Sequence, residues 1–248
     1  MSVPGLFTHG SPRHRLPHPP VPVRLLLAAH AAFVEAFAML RANPPTGFTL
    51  ATAGEKAITR QVKDILANEL LLNGTVKGFS KTFFSKVTRD EELTSYDGAH
   101  PDKKPDLLLG LQRPEGARVI ADQDAIFVEC KPVDDDHPLT TAYGADGIRR
   151  FVHGEYAWAM TSAMMLGYVR DGFTITHHLR ANFKKNKSDA RFGKPVLGRI
   201  IPGSVKGAKH EALRASRHRR GFPYPANSKP APPIMLCHSW HDCMSEEE

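Results

Sequence analysis

Cysteine is scarce in this 248-residue chain, which has only Cys130, Cys237 and Cys243. Three thiols so spaced cannot build a disulfide scaffold, so reduced cysteines and a cytoplasmic location are expected. Long apolar runs are also rare. The longest, Leu25 to Leu40, covers about sixteen residues and includes His30 and Glu35, which makes it too short and too polar for a membrane span. No basic-then-apolar leader opens the chain. Residues 1–22 are rich in proline and read as a disordered arm without a targeting signal. No internal repeat is visible.

Acidic residues are in the minority, with 26 Asp and Glu against 33 Lys and Arg, a formal charge of +7 and a pI near 9.4. Such a balance reveals no fold, but it favours a polyanionic partner. The shortage is local. From Arg180 to Arg220, thirteen Lys or Arg stand against Asp189 and Glu211, so this segment alone carries an excess of eleven positive charges, more than the chain in total. Nothing amphipathic accompanies it, and no membrane partner is expected.

What is present is a helix-and-strand texture. Helical periodicity runs from Val23 to about Arg41 and stops before Pro44-Pro45, where amide donors are missing. Thr52 to Glu55 has the spacing of a capping box, followed by Ile58, Val62, Ile65, Leu66 and Leu70 at helical intervals up to Asn73-Gly74. Strands are expected at Thr82–Val87, Asp106–Leu111, Ala125–Cys130 and Ala163–Val169, with a helix over about Asp146–Ala159. The order implies an α/β fold: a mixed central β-sheet flanked by helices. The chain divides on this reading into the arm (1–22), a core (23–179) and a basic C-terminal extension packed on the core (180–248).

The chemistry is concentrated in Pro105-Asp106 with the apolar run behind it, and in Ile126-Phe-Val-Glu129-Cys130-Lys131. Side chains alternate along a strand, so Glu129 and Lys131 share one face and Val128 and Cys130 the other. An acid and an ammonium at the end of an apolar strand are costly to bury unless paired or used. With Asp106 on a neighbouring strand, two carboxylates could hold a hard divalent cation beside a lysine, the combination phosphodiester hydrolysis needs. Bringing Asp106 to Glu129 requires a long excursion over roughly Gln112 to Gln123, or a bulge, because a tight hairpin at Arg113–Gly116 would set Asp106 opposite Gln123. Pro101-Asp102, with Asp102-Lys103-Lys104, is a rival pair set in a polar stretch.

These residues resemble the PD-(D/E)XK nuclease superfamily over roughly Ala51 to Val169. The resemblance implies a restriction-endonuclease-like core and an enzyme, a metal-dependent endonuclease using Mg²⁺ or Mn²⁺. It assigns Asp106, Glu129 and Lys131 as catalytic, with Asp106, Glu129, the Cys130 carbonyl and Glu55 as metal ligands. Glu55 has a second reading as the closing residue of the capping box. The implied substrate is DNA in preference to RNA, in a prokaryotic defence (antiviral) or DNA-processing setting, with an activating protein subunit or a homodimer as the protein partner. The alternatives are a nucleic-acid-binding protein with an idle site and a partner-activated nuclease subunit.

Nucleic-acid contacts are expected from Arg149 and Arg150 on the helix after the motif, and from Lys184, Lys185, Lys187, Arg217, Arg219 and Arg220 in the basic segment. Phe183, Phe192 and Phe222 interleave with these cations, as stacking contacts or as anchors. Cys237, His238, His241 and Cys243 crowd four soft metal ligands into seven residues, but the spacing is not that of a zinc finger, and Ile234–Leu236 leads in like a strand.

Overall fold

The computed structural model describes residues 14–224 and 228–244. Helix α1 (Val23–Ala42) begins directly after Pro22 and turns Leu26, Ala29, Phe33, Phe37 and Leu40 into the core. At 20 residues and a mean hydropathy of 1.7 it is long and apolar enough to cross a membrane, longer than the sixteen-residue run suggests, and 56% of its most apolar window is buried within the protein.

Helix α2 (Glu55–Ile65) follows, with Ile58 and Val62 buried. It passes through a π-helical turn, Leu66–Leu70, into the short α3 (Leu71–Asn73). Gly74, at φ 62°, closes the helix in the left-handed conformation that glycine adopts without steric cost.

Seven strands form one sheet: β1 (Phe84–Thr88), β2 (Leu107–Leu111), β3 (Ala125–Val133), β4 (Ser162–Val169), β5 (Val196–Ile200), β6 (Arg214–His218) and β7 (Ile234–Asp242). Their spatial order is β1-β2-β3-β4-β7-β6-β5. The central trio β3, β4 and β7 is parallel, and each wing joins it antiparallel. Every residue of β3 and β4 is buried, as expected for parallel strands covered on both faces. Phe37 of α1 stacks on His241 and meets Tyr168, placing α1 on one face. A π-helical segment, Leu139–Ile148, continuing into α4 (Arg149–Val152), covers the other, where Tyr143 bonds His238.

Three sequence expectations change. The basic region is no appended extension, because β5, β6 and β7 complete the sheet and β7 sits beside β4 near its centre. A nine-residue strand with Leu236 to His241 all buried, its polar side chains hydrogen-bonded, has both faces covered and so does not stay at the edge that chain order would give it. Within the proposed arm, residues 14–22 pack: the His18 amide bonds the Ala159 carbonyl at 2.9 Å, and His18 and Val21 are buried. Residues 1–13 lie outside the described ones. The helix expected over Asp146–Ala159 starts earlier and ends at Val152. Gly144 lets this segment approach the sheet's basic wing, since a Cβ there would lie 2.1 Å from the Phe192 ring.

Candidate active site

The register between β2 and β3 places Leu107 opposite Val128, which carries Asp106 to the level of Glu129. The link is the longer excursion: β2 and β3 are joined through 112–124, which include a 3₁₀ turn at Ala121–Gln123. Asp106 Oδ2 accepts the Cys130 amide at 2.7 Å, so the carboxylate docks on the β3 backbone. As alternation requires, Cys130 turns to the opposite layer, beside Tyr168, while Glu129 and Lys131 share the first.

Lys131 Nζ lies 2.9 Å from Glu129 Oε1, 3.6 Å from Glu55 Oε1 and 3.9 Å from Asp106 Oδ2. Three carboxylates, from the start of α2, the residue before β2, and β3, thus surround one ammonium. Glu55 is the first residue of α2, whose N-cap is Gly54 with no side-chain cap bond. The capping-box reading of Glu55 is therefore replaced by a role toward Lys131. Arg150 Nη1 stands 3.5 Å from Glu129 Oε1, and the Tyr156 hydroxyl donates to Glu129 Oε2.

With all three carboxylates ionised the cluster does not balance: −3 faces the +2 of Lys131 and Arg150, and the surplus is relieved when Glu129 holds a proton. Burial, reinforced by the Asp106 charge, pushes the Glu129 carboxyl up to about 7 despite Lys131, Arg150 and Tyr156. Burial also raises Asp106, against the pull of Lys131 and the Cys130 amide. Glu55 rises by burial as well, opposed by Lys131. For Lys131, burial alone would favour the neutral amine, but Glu129, Asp106 and Glu55 outweigh it and the ammonium is held well above its usual range.

Among the described residues, no three His, Cys, Asp or Glu close into a bare metal cluster. Here Lys131 stands among the acids. Glu129 Oε1 is nonetheless buried without a directed hydrogen bond, the ammonium 2.9 Å away being an ion pair. Hard oxygen donors whose full ionisation a cation would favour fit Mg²⁺ or Mn²⁺, provided the flexible lysine head moves aside.

The rival Asp102 is exposed in a turn, and its neighbours are engaged elsewhere: Lys103 pairs with Glu155 at 3.5 Å and Lys104 with Glu92 at 2.9 Å. Arg149 also turns away, bonding the Ala145 carbonyl and pairing with Glu155 at 2.7 Å, so of the two arginines Arg150 is the one that joins Lys131 at the site.

Of the basic segment, Lys184 and Lys185 on α5 (Arg180–Lys185), then Lys187, Arg217 and Arg219, are exposed. None has an acidic side chain within 4.0 Å among the described residues, in contrast to Arg191 on Asp189 and Lys209 on Asp242. Arg220 is a correction: it is buried and donates to the carbonyls of Pro232 and Trp158, so it ties loops together and is not presented to a ligand. Phe183, Phe192 and Phe222 are buried anchors and offer no stacking surface.

The Cys237–Cys243 segment is part of β7 and its continuation, and its donors split between faces. His238 points to Tyr143, whereas His241 stacks on Phe37 of the opposite layer, so one ion cannot reach both. The histidines instead serve hydrogen-bond relays. Trp240 Nε1 donates to Tyr143 Oη (2.9 Å), Tyr143 to His238 Nδ1 (2.8 Å), His238 Nε2 to Ser216 Oγ (2.6 Å), Ser216 to His218 Nε2 (2.6 Å), and His218 Nδ1 to the Phe192 carbonyl (2.7 Å). The indole can only donate and the carbonyl only accept, so two neutral imidazoles leave one possible direction for the whole chain.

Sequence reasoning missed Tyr156 altogether. It lies in the loop after α4, two residues before Trp158, with no periodicity or spacing to mark it. In comparisons with protein families, with curated proteins and with solved structures, no match to this chain was found.

Proposed function

We propose that the protein is a metal-dependent nuclease of PD-(D/E)XK type that hydrolyses phosphodiester bonds, with DNA favoured over RNA. The observation that carries this reading is the convergence of Glu55, Asp106 and Glu129 within 3.9 Å of Lys131 Nζ, each on a different element or strand position. Asp106 and Glu129 would hold Mg²⁺ or Mn²⁺, joined by Glu55 and the Cys130 carbonyl. The bound ion would supply charge stabilisation at the phosphoryl oxygens and a more acidic water. Lys131 orients the attacking water and offsets developing negative charge. Arg150, 3.5 Å from Glu129 and partly open to solvent, turns to the incoming phosphate. Lys184, Lys185, Lys187, Arg217 and Arg219 grip the phosphate backbone.

The test is cleavage of duplex DNA, single-stranded DNA and RNA with Mn²⁺ or with EDTA. Wild-type protein should cut only with metal, and Asp106→Ala and Lys131→Ala proteins should be inactive while still binding. Full metal-dependent activity in either variant would sink the assignment. A second reading, a nuclease subunit silent until a partner engages, is favoured by Lys131 filling the space between the acids. It predicts a purified protein that binds nucleic acid and leaves it intact until the partner is added.

A further inference from the structure

We infer that Tyr156 is a positioning residue for the cation-binding carboxylate: its hydroxyl holds Glu129 Oε2, so that Oε1 alone is presented to the site. This rests on the nuclease reading above.

The hydroxyl donates to Glu129 Oε2, while Oε1 faces Lys131 at 2.9 Å and Arg150 at 3.5 Å and takes no directed hydrogen bond. The two oxygens therefore have separate duties. A carboxylate free to turn about its last torsion could offer both oxygens to the neighbouring cations; one pinned at Oε2 offers one, in a fixed direction. Outer hydrogen bonds of this kind orient ligating groups at metal sites.

Tyr156 is itself held from every side. Its ring is fully buried, parallel to Phe127 at 6.2 Å and edge-on to Phe151 at 5.1 Å. The loop that delivers it is over-determined. Gly154, at φ 72°, passes so close to Phe222 that a Cβ would lie 2.7 Å from the ring. Ala157 takes φ 53°, a left-handed conformation unfavourable for a residue with a Cβ. On the far side, Arg220 reaches the Ala157 and Trp158 carbonyls at 3.4 and 3.1 Å, and Glu155 is tied to Arg149 and Lys103. An unfavourable backbone angle next to a buried side chain aimed at the acid cluster is where functional constraint is expected. A buried tyrosine needs only some acceptor, and a main-chain carbonyl would have served. Taking a carboxylate oxygen instead has a consequence for ligation.

The test is Tyr156→Phe in the full chain, which removes one oxygen and keeps the ring. Mn²⁺ binding is measured without nucleic acid, by calorimetry and by the electron paramagnetic resonance of free Mn²⁺, beside cleavage as a function of Mn²⁺. The Kd for Mn²⁺ should rise about 10- to 100-fold, the size typical of losing such an outer partner. The Mn²⁺ concentration for half-maximal rate should shift with it, while the rate at saturating Mn²⁺ stays within about threefold. In a Glu129→Gln background the same change should add nothing. A purely structural tyrosine would lower Tm and the saturated rate and leave the Mn²⁺ Kd unmoved, which would overturn the inference. Should Tyr156→Phe not fold, Arg220→Lys, which weakens the hold on the Ala157 and Trp158 carbonyls of the same loop, is read for the same weakening. If wild-type protein binds no Mn²⁺, the nuclease reading falls and takes this one with it; if wild type binds and both variants bind equally well, only the positioning role falls.

Discussion

Asp106 reaches across from just before β2 to accept the Cys130 amide at 2.7 Å, and in doing so sets its carboxylate beside Glu129 and Lys131. A β2–β3 register shifted by a single residue would turn that side chain to the other face and remove it from the cluster.

Asp106→Asn and Asp102→Asn should therefore behave differently. The first is expected to reduce cleavage by about 100-fold or more, the scale of losing one group that stabilises transition-state charge. Asp102, exposed in a turn away from the cluster, should leave the rate unchanged. Equal losses in single-turnover cleavage would move the site to the rival pair.

Glu129→Gln should stabilise the protein in a pH-dependent way. The folded carboxyl titrates near 7 and its unfolded value is 4.5, so the folded state holds the proton more tightly. Stability from this group is full below pH 4.5 and declines as pH rises to 7, by roughly 3 kcal/mol at about 1.4 kcal/mol per unit. The glutamine lacks this decline. In EDTA, the denaturation free energy of the variant minus that of wild type should climb between pH 4.5 and 7 and level off above. A flat difference would show that Glu129 is not strained by ionisation.

The buried histidines predict loss of stability in acid. Burial lowers His30 and His218 from 6.5 to about 4, and His238 and His241 well below 6.5. The folded state thus excludes protons that the unfolded chain binds. Stability is complete above pH 6.5 and falls as pH drops toward 4, by up to about 1.4 kcal/mol per unit for each ring. Ser216→Ala, which strands both His238 and His218, should cost roughly 2–4 kcal/mol at neutral pH. Urea denaturation at pH 7.5 and pH 5 checks both statements, and an unchanged midpoint between the two would contradict the first.

Binding to the basic surface should depend steeply on salt. Each phosphate contact contributes about 0.9 to the slope of log affinity against log salt on duplex DNA. Replacing Lys184, Lys185 and Lys187 with glutamine should lower that slope by up to about 3, while Arg220→Gln should instead lower Tm because its guanidinium is buried on carbonyls. Fluorescence anisotropy from 50 to 300 mM salt, alongside thermal denaturation, separates the two outcomes.

Much of this molecule was legible without coordinates. Apolar spacing marked α1, α2 and the strands β1 to β4, because burying one stripe or two faces of an element leaves a period in the chain. Gly74 marked the end of a helix because a left-handed angle suits glycine. Pro105-Asp106 and Glu129-Cys130-Lys131 stood out because charges at the ends of apolar strands need a reason. What the chain alone determined is thus the elements from α1 to β4, and Asp106, Glu129 and Lys131 as the groups that need a reason, with Glu55 left between ligand and cap; β5 and β6, rich in cations and half exposed, left no such period. The tertiary structure decided everything that depends on which segments meet. It chose the long excursion over the tight hairpin, placed the C-terminal strand β7 beside β4, and, of the two readings of Glu55, set aside the cap by putting its carboxylate beside Lys131. It also sent Arg220 inward and brought Tyr156 onto Glu129. Local spacing carries periodicity and backbone preference. It does not carry burial, register or the partners of a single side chain, which arise only when distant segments compete for the same core.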